Sequence, residues 1–139
     1  MPTEQDFAKE RKFLEGLPYF NWGALLMPPI WGPGHGEIAV VLFYPLWLFV
    51  DNLIYAATQE PSVLSISLAV IALAVIVSIT LVYGRISQPR AAHRAEAAGK
   101  TRQQYIATER KWAVACALIA VVFVSLATYY NLFIRPTVG

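Results

Sequence analysis

The sequence predicts an all-α membrane protein with three transmembrane helices. Apolar residues form 57% of the 139 residues and charged residues only 14%, against roughly 45–50% and about 25% in ordinary soluble domains. Two apolar runs without charge, 62–83 and 112–134, and a less uniform run over 37–57 are each long enough for one crossing. A chain of this length is expected to form one unit.

The run 62–83, SVLSISLAVIALAVIVSITLVY, is the clearest span. At about 1.5 Å per residue it reaches about 33 Å, which exceeds a hydrocarbon core of about 30 Å. The run 112–134, WAVACALIAVVFVSLATYYNLFI, is of similar length. Upstream of it, Thr101 and Gln104 have the spacing of a capping box, so we expect this helix to begin near Arg102, before the membrane.

The run 37–57 is less uniform because Asp51 and Asn52 interrupt it and Pro45 removes one backbone donor. Its whole length still reaches the roughly 20 residues that a crossing needs. We therefore expect a span with a kink near Pro45. The short connection 58–61 to the next span predicts a tight antiparallel hairpin.

The segment 17–36, LPYFNWGALLMPPIWGPGHG, is apolar and aromatic, but its prolines and glycines exclude one long helix. We expect its central part to be non-helical, and to lie at the membrane interface or re-enter the bilayer, with Trp22 and Trp31 at headgroup level. The residues before it predict a short N-terminal helix. The predicted organisation is an N-terminal cytoplasmic helix and interfacial segment over 1–36 and a three-helix transmembrane domain over 37–139.

The connection 84–111 is predicted to be a cytoplasmic loop. Within it, Pro89 and Gly99 bracket an Ala-rich stretch that predicts a short separate helix. Basic loops remain inside the cell, so we expect the N-terminus inside, the C-terminus outside and the chain in the inner (plasma) membrane. The basic residues either only orient the loop or also bind anionic lipid headgroups. They are Arg85, Arg90, Arg94, Lys100, Arg102, Arg110 and Lys111.

The polar candidates inside the spans are Asp51, Asn52 and Asn131. An ionisable group within a span is costly and is a functional candidate by default. We expect a structural role for Asp51, which either snorkels outward or bonds to Asn131, Tyr130 or Arg135 of the third span. The alternative role is the transfer of protons or cations.

The sequence predicts no catalytic residue, no cofactor and no metal site. His35 and Glu37, with His93 as a remote third ligand, fall short of a catalytic zinc site, whose three ligands come from ordered elements. The motifs of serine hydrolases, phosphate-binding loops and helical metal sites do not occur. We therefore expect no enzyme, and an enzyme acting on a lipid or peptide bond through Asp51, His35 and Glu37 is the weaker alternative. The net charge of +2 argues against nucleic-acid binding.

Several short motifs resemble those of a group of small, uncharacterised bacterial membrane proteins. These proteins carry an FNWGA…WIWG…G block before a membrane hairpin, and their basic loop leads into a last span. The corresponding residues here are Phe20-Asn21-Trp22-Gly23-Ala24, Pro29-Ile30-Trp31-Gly32, His35-Gly36, Gln104-Tyr105 and Glu109-Arg110-Lys111-Trp112-Ala113. The chain departs from the group at Pro29, where tryptophan is frequent, and at His93, where an aromatic residue is usual.

The resemblance implies no specific function, but it implies that the N-terminal block and the basic loop belong together. The block residues of interest are Asn21, Trp22, Trp31 and His35. We expect Trp22, Trp31 and the helix near His93 to pack against each other as a cap on the inner face of the bundle.

The leading functional expectation is an accessory or interaction protein that packs in the bilayer with another membrane protein or with itself. Small residues such as Ala69, Ala72 and Ala74 allow close helix approach, within the chain or between chains. The alternative is a small oligomeric transporter or channel lined by Asp51, with Asn52 and Asn131.

Overall fold

The computed structural model describes all residues from 1 to 139, and every regular element in it is a helix. Three helical stretches are long and apolar enough to cross a membrane: Ile38–Gln59, Val63–Ala97 and Arg102–Val138. Each covers one of the predicted runs, to within one residue at its start. The prediction of an all-α protein with three transmembrane helices is confirmed, and the chain is a multi-pass membrane protein.

Helix α1, Glu4–Leu14, precedes the membrane block and begins with a capping box. The Thr3 backbone N–H donates to the Asp6 carboxylate over 2.8 Å, and the Asp6 N–H donates to the Thr3 hydroxyl oxygen. The bond from the Thr3 backbone lowers the pKa of Asp6 because it stabilises the charged form. A short N-terminal helix was predicted here, and it is present.

The proline- and glycine-rich block forms two short helices, α2 (Trp22–Leu26) and α3 (Pro28–Gly34). Asn21 caps α2, since its side-chain oxygen accepts the Ala24 N–H over 3.0 Å. The paired prolines occupy the first turn of α3, where a missing backbone donor costs little. The prediction that this block is non-helical was therefore wrong, although the exclusion of one long helix was right.

The first span starts with a 3₁₀ turn, Ile38–Leu42, and continues as helix α4, Phe43–Gln59. Pro45 is the third residue of α4, where the backbone N–H has no partner within the helix. The chain thus changes helix type just ahead of Pro45, in the region of the predicted kink. A short turn then leads into the next helix, and the two spans pack along each other as the predicted hairpin.

Helix α5, Val63–Ala97, is 35 residues long and runs without interruption through Pro89. The Ala-rich basic stretch is helical, as expected, but it extends the second span and is not a separate helix. That part of the prediction was wrong because Pro89 was read as a start signal. Ala91 and Ala92, just beyond this proline, are buried against the N-terminal part of the chain, and this packing supports the continued helix.

Helix α6, Arg102–Tyr129, begins at the predicted residue. Thr101 and Gln104 form the predicted capping box, with bonds of 2.9 and 3.2 Å between side chain and backbone. At its far end α6 passes into a π-helical turn, Tyr130–Ile134, and then into α7, Arg135–Val138.

The buried core is concentrated at one end of the bundle, which we call the basic end. The basic end consists of α1, α2, α3, the last turns of α5 and the first turns of α6. Its most deeply buried side chains include Met27 and Trp31. Trp31 therefore packs inside the protein, and its depth at headgroup level stays a prediction. In the most apolar window of each span only 11%, 11% and 6% of residues are buried, as expected for helices that face lipid.

At Gly84 of α5 the N-terminal block approaches the second span closely. The backbone N–H of Asn21 donates to the Gly84 carbonyl over 2.9 Å. A Cβ atom at Gly84 would lie 2.9 Å from Cδ1 and 3.0 Å from Cβ of Leu25 on α2. Only glycine therefore lets α2 sit this close to α5.

Substitution Gly84→Val is expected to displace α2 and lower the free energy of unfolding by about 1–3 kcal/mol, the usual effect of overpacking. Thermal unfolding in detergent and the rate of tryptic cleavage near Arg11 and Lys12 measure the two effects. Ala97→Val, at the exposed end of the same helix, is the control. Equal behaviour of the two variants would contradict the close packing at Gly84.

Candidate functional site

A largely buried carboxylate, that of Glu109, organises the basic end. Its Oε2 atom accepts hydrogen bonds from Asn21 Nδ2 over 2.8 Å and from Trp31 Nε1 over 2.9 Å. Its Oε1 atom lies 2.7 Å from His35 Nε2. We call these four residues the Glu109 cluster, and three of them belong to the block singled out by sequence.

The His35 ring lies between two acceptors. Its Nδ1 atom is 2.8 Å from the Trp31 carbonyl oxygen, and its Nε2 atom faces Glu109. Only a doubly protonated ring donates to both, and that ring carries the positive charge that matches the carboxylate. The ring also stacks on the Trp31 indole, with centroids 3.8 Å apart, and packs at 5.0 Å against the Trp112 ring. The side chains of His35 and Glu109 are only 15% and 13% exposed.

Gln88 and Tyr105 extend the cluster into α5 and α6. Gln88 Oε1 accepts a bond from the Tyr105 hydroxyl over 2.9 Å and a longer one from Asn21 Nδ2 over 3.3 Å. Gln88 Nε2 donates to the Pro18 carbonyl over 3.1 Å. No buried side-chain nitrogen or oxygen in the chain lacks a partner. The network is therefore complete without a ligand.

Glu109 was missed by the sequence reasoning, although it lay within one of the quoted motifs. It shares one face of α6 with Tyr105, Trp112 and Cys116, at spacings of four, three and four residues, and Tyr105 and Cys116 are buried. A carboxylate on the apolar face of a helix is the signal that would have found it. Because Arg110 and Lys111 follow it directly, Glu109 resembles one more charge of a solvated basic loop.

Glu37 is the centre of a second ion-pair cluster. Its Oε2 atom accepts the Tyr83 hydroxyl over 2.8 Å, and its Oε1 atom is 2.9 Å from Arg94 and 3.2 Å from Arg90. Two of the seven basic residues assigned to the loop are thus bound to the start of the first span. This contact holds the extension of α5 against the residue that follows the N-terminal block.

His93 contacts α1 and not the tryptophans of the block. Its Nε2 atom is 2.8 Å from a Glu10 oxygen, and its ring stacks on Phe13 with centroids 4.1 Å apart. Trp22 is half-exposed and Trp31 lies in the Glu109 cluster. The expected contact of Trp22, Trp31 and His93 was therefore wrong, because α1 occupies the His93 side of α5. The broader expectation, that the block and the basic region pack together, matches the structure.

The three residues weighed as metal ligands do not meet. His35 faces Glu109, Glu37 faces arginines and Tyr83, and His93 faces Glu10. No group of three or more His, Cys, Asp or Glu side chains in the chain has an arrangement that could hold a metal ion.

The remaining basic residues differ in their surroundings. Arg102 donates to the backbone carbonyls of Phe13 and Glu15 and so fixes the end of α1. The Arg85 guanidinium lies over the Tyr19 ring, 4.2 Å from its centroid. The three others are exposed and form no ion pair within the chain. They are Lys100, Arg110 and Lys111.

The polar residues of the spans meet at the opposite end of the bundle. Asn131 Nδ2 donates to Asp51 Oδ1 over 2.7 Å, and Arg135 Nη1 lies 3.4 Å from Asp51 Oδ2 and 3.2 Å from Asn131 Oδ1. Arg135 also donates to Asn52, and its guanidinium lies 3.8 Å from the centroid of the Tyr55 ring. We call this group the Asp51 cluster. It joins the first span to the π-helical turn of the third.

The contacts of Asp51 are those expected for a structural role: it bonds to Asn131 and Arg135, and Tyr130 takes no part. The carboxylate is used by an amide and a guanidinium, and the Asp51 side chain is 38% exposed while that of Arg135 is 21% exposed. Such a pair neutralises an acid near a membrane boundary and sets the register of two helices.

No protein-family model, no curated protein and no solved structure matches this chain. The resemblance to small bacterial membrane proteins therefore stays a prediction from motifs, and function has to be argued from the geometry alone.

Substitution Glu109→Gln is expected to lower the free energy of unfolding by about 2 kcal/mol. The new amide nitrogen faces donors where the carboxylate accepted bonds, and His35 loses its counter-charge. Thermal unfolding in detergent measures the loss. Glu96→Gln, an exposed position on α5 without an ion pair, is the control, and a similar effect of both changes would count against the organising role of Glu109.

Substitution Arg135→Ala is expected to destabilise the protein, because it leaves Asp51 without a cation near the membrane. Adding Asp51→Asn is expected to restore part of the loss, since a neutral amide still bonds to Asn131. A double-mutant cycle on thermal stability then gives a coupling of about 1 kcal/mol. A coupling near zero would show that the ion pair contributes nothing to the fold.

Proposed function

We propose that this chain is an accessory or interaction subunit of a membrane complex, and that its third span is the contact element. The observation that carries the proposal is the exposure of the ten consecutive residues 121–130, none of which is buried or half-buried by the rest of the chain. Large apolar side chains lie on all sides of this helix, among them Val121, Val122 and Val124 at 65%, 54% and 66% exposure.

The third span is held at its two ends and packs sparsely between them, where the Phe123 ring stacks on Tyr44 with centroids 6.0 Å apart. The Glu109 cluster fixes it at the basic end and the Asp51 cluster fixes it at the other. In a bilayer, apolar surface alone provides little drive for helices to associate, so packing and polar contacts decide which helices meet. A span that is oriented at both ends and sparsely packed in the middle suits lateral association with another membrane helix.

The small residues of the second span support the same assignment. Ala69 is buried and Ala72 packs against the core of the chain, so both are used internally. These alanines therefore contribute to packing within the chain, where the first two spans form a hairpin. The third span is therefore the better candidate for contact with a partner.

Transport through Asp51 has less support. Its carboxylate already bonds to Asn131 and Arg135, and Asn52 is bonded to the Leu48 carbonyl and to Arg135. A pathway lined by these residues would require the cluster to open. An interaction role needs no such rearrangement, and we favour it for that reason.

The orientation that fits the proposal places the basic end in the cytoplasm of a bacterial cell and the chain in the plasma membrane. The charge distribution supports it, since basic residues concentrate at this end and basic segments are retained inside. Both the N-terminus and the helical extension of α5 then face the cytoplasm, and the C-terminus faces outward.

A photo-reactive amino acid at Val121, Val122 or Val124, one at a time, tests the contact in living cells. Val121 and Val124 lie on one face of the helix and Val122 lies about 100° away from Val121. The three positions therefore sample two sides, and at least one is expected to give a discrete protein adduct. Val70, an equally exposed valine of the second span, is the matched control and is expected to give none.

Two copies of the chain with different tags, expressed together, identify the partner. An adduct that carries both tags indicates a homo-oligomer, and an adduct with one tag indicates another protein, and either outcome supports the proposal. Adducts to lipid alone at all three positions would overturn it.

A further inference from the structure

A groove of about 810 Å³ lies between α1, the connection that follows it and the start of the α5 extension. Apolar side chains, including Leu14 and Leu17, line part of it. Three basic side chains, Arg11, Lys12 and Arg85, line the rest. It borders the Glu109 cluster, because Gln88 lines the groove and also bonds to Asn21, and it is separate from the Asp51 cluster.

These three basic residues are free of ion pairs within the chain. Two carboxylates also line the groove, those of Glu10 and Glu15. Glu10 also contacts His93 at 2.8 Å, and three cations face these two carboxylates. The groove therefore has an excess of positive charge that the protein itself does not neutralise.

Arg85 is held in a fixed position in this groove. It is half-buried, and its guanidinium lies over the Tyr19 ring at 4.2 Å. Stacking on an aromatic face leaves the edge of the guanidinium free, and this planar edge matches two oxygens of a phosphate. An arginine fixed in this way loses less conformational entropy on binding than a mobile surface residue.

The groove opens at the level where the apolar surface of α5 ends. Val82 and Ile86, on either side of Arg85 in sequence, are 59% and 44% exposed, and the apolar span lies directly before them. Beyond this point the exposed surface of α5 carries Arg90, His93 and Arg94. Arg85 therefore lies at the end of the apolar span, where lipid headgroups are expected, with apolar side chains on its membrane side.

We propose that this groove binds the headgroup of an anionic glycerophospholipid from the adjacent leaflet. Arg85 contacts the phosphate, Arg11 and Lys12 supply further positive charge, and Leu14 and Leu17 contact the glycerol and upper acyl region. The site fits a lipid better than a free anion, because its apolar lining adds no binding energy for a small soluble ion.

Binding is measured on the full chain in a neutral detergent, titrated with phosphatidylglycerol. Native mass spectrometry counts the lipids retained, and the rise in thermal stability gives the affinity. We expect one lipid to be retained preferentially. Arg85→Gln is expected to weaken the affinity about fivefold, the usual contribution of one basic residue near an anionic membrane surface, and Arg85→Lys is expected to weaken it less.

The matched control is Arg110→Gln, an exposed and unpaired arginine of α6, which is expected to leave the affinity unchanged. If Arg85→Gln does not fold, the double variant Arg11→Gln with Lys12→Gln provides the test, since both residues are exposed. Phosphatidylcholine and inorganic phosphate are the probe controls, and neither is expected to compete below a tenfold excess.

Three outcomes would overturn the proposal. Equal losses from Arg110→Gln and Arg85→Gln would indicate general attraction to charge and no site. Competition by inorganic phosphate at the affinity of the lipid would indicate a free-anion site. Equal retention of phosphatidylcholine and phosphatidylglycerol would remove the role of the headgroup charge.

Discussion

The Glu109 carboxylate is the point at which separate parts of the basic end meet. A charge removed from water is tolerated only when it is paired and hydrogen-bonded, and here the partners are the residue before α2, a residue of α3 and the residue after α3. These donors are Asn21, Trp31 and His35. Because one carboxylate requires all three, the proline- and glycine-rich block has one position against α6. The close contact at Gly84 then fixes the same block against α5.

The bundle is ordered by polar contacts at its ends more than by apolar packing along its length. In water, burial of apolar side chains would hold three such helices together, but lipid solvates those side chains equally well. The Glu109 and Glu37 clusters at one end and the Asp51 cluster at the other supply contacts that lipid does not replace. The middle of the third span is sparsely packed and largely exposed. This helix and the groove beside α1 are the two surfaces to which we assign a proposed partner and a proposed lipid.

Much of the fold follows from local rules, and the sequence predictions succeeded where such rules apply. The spans follow from apolar runs, and the start of α6 follows from the Thr101 and Gln104 capping box. The predictions failed at Pro89 and in the block around Met27, where proline was taken to end helical structure. Proline does so only when nothing else stabilises the helix. Here packing against neighbouring elements outweighs the loss of one backbone donor.

The sequence by itself determined the class of the protein, the number of its spans and the residues that interrupt them, because transfer into lipid depends on the composition of each segment. The tertiary structure alone decided which charges are free. Glu109, Glu37 and Asp51 take specific donors, whereas Arg85 keeps an open guanidinium edge over Tyr19. Ion pairing depends on distances between residues far apart in the chain, and no local pattern encodes those distances.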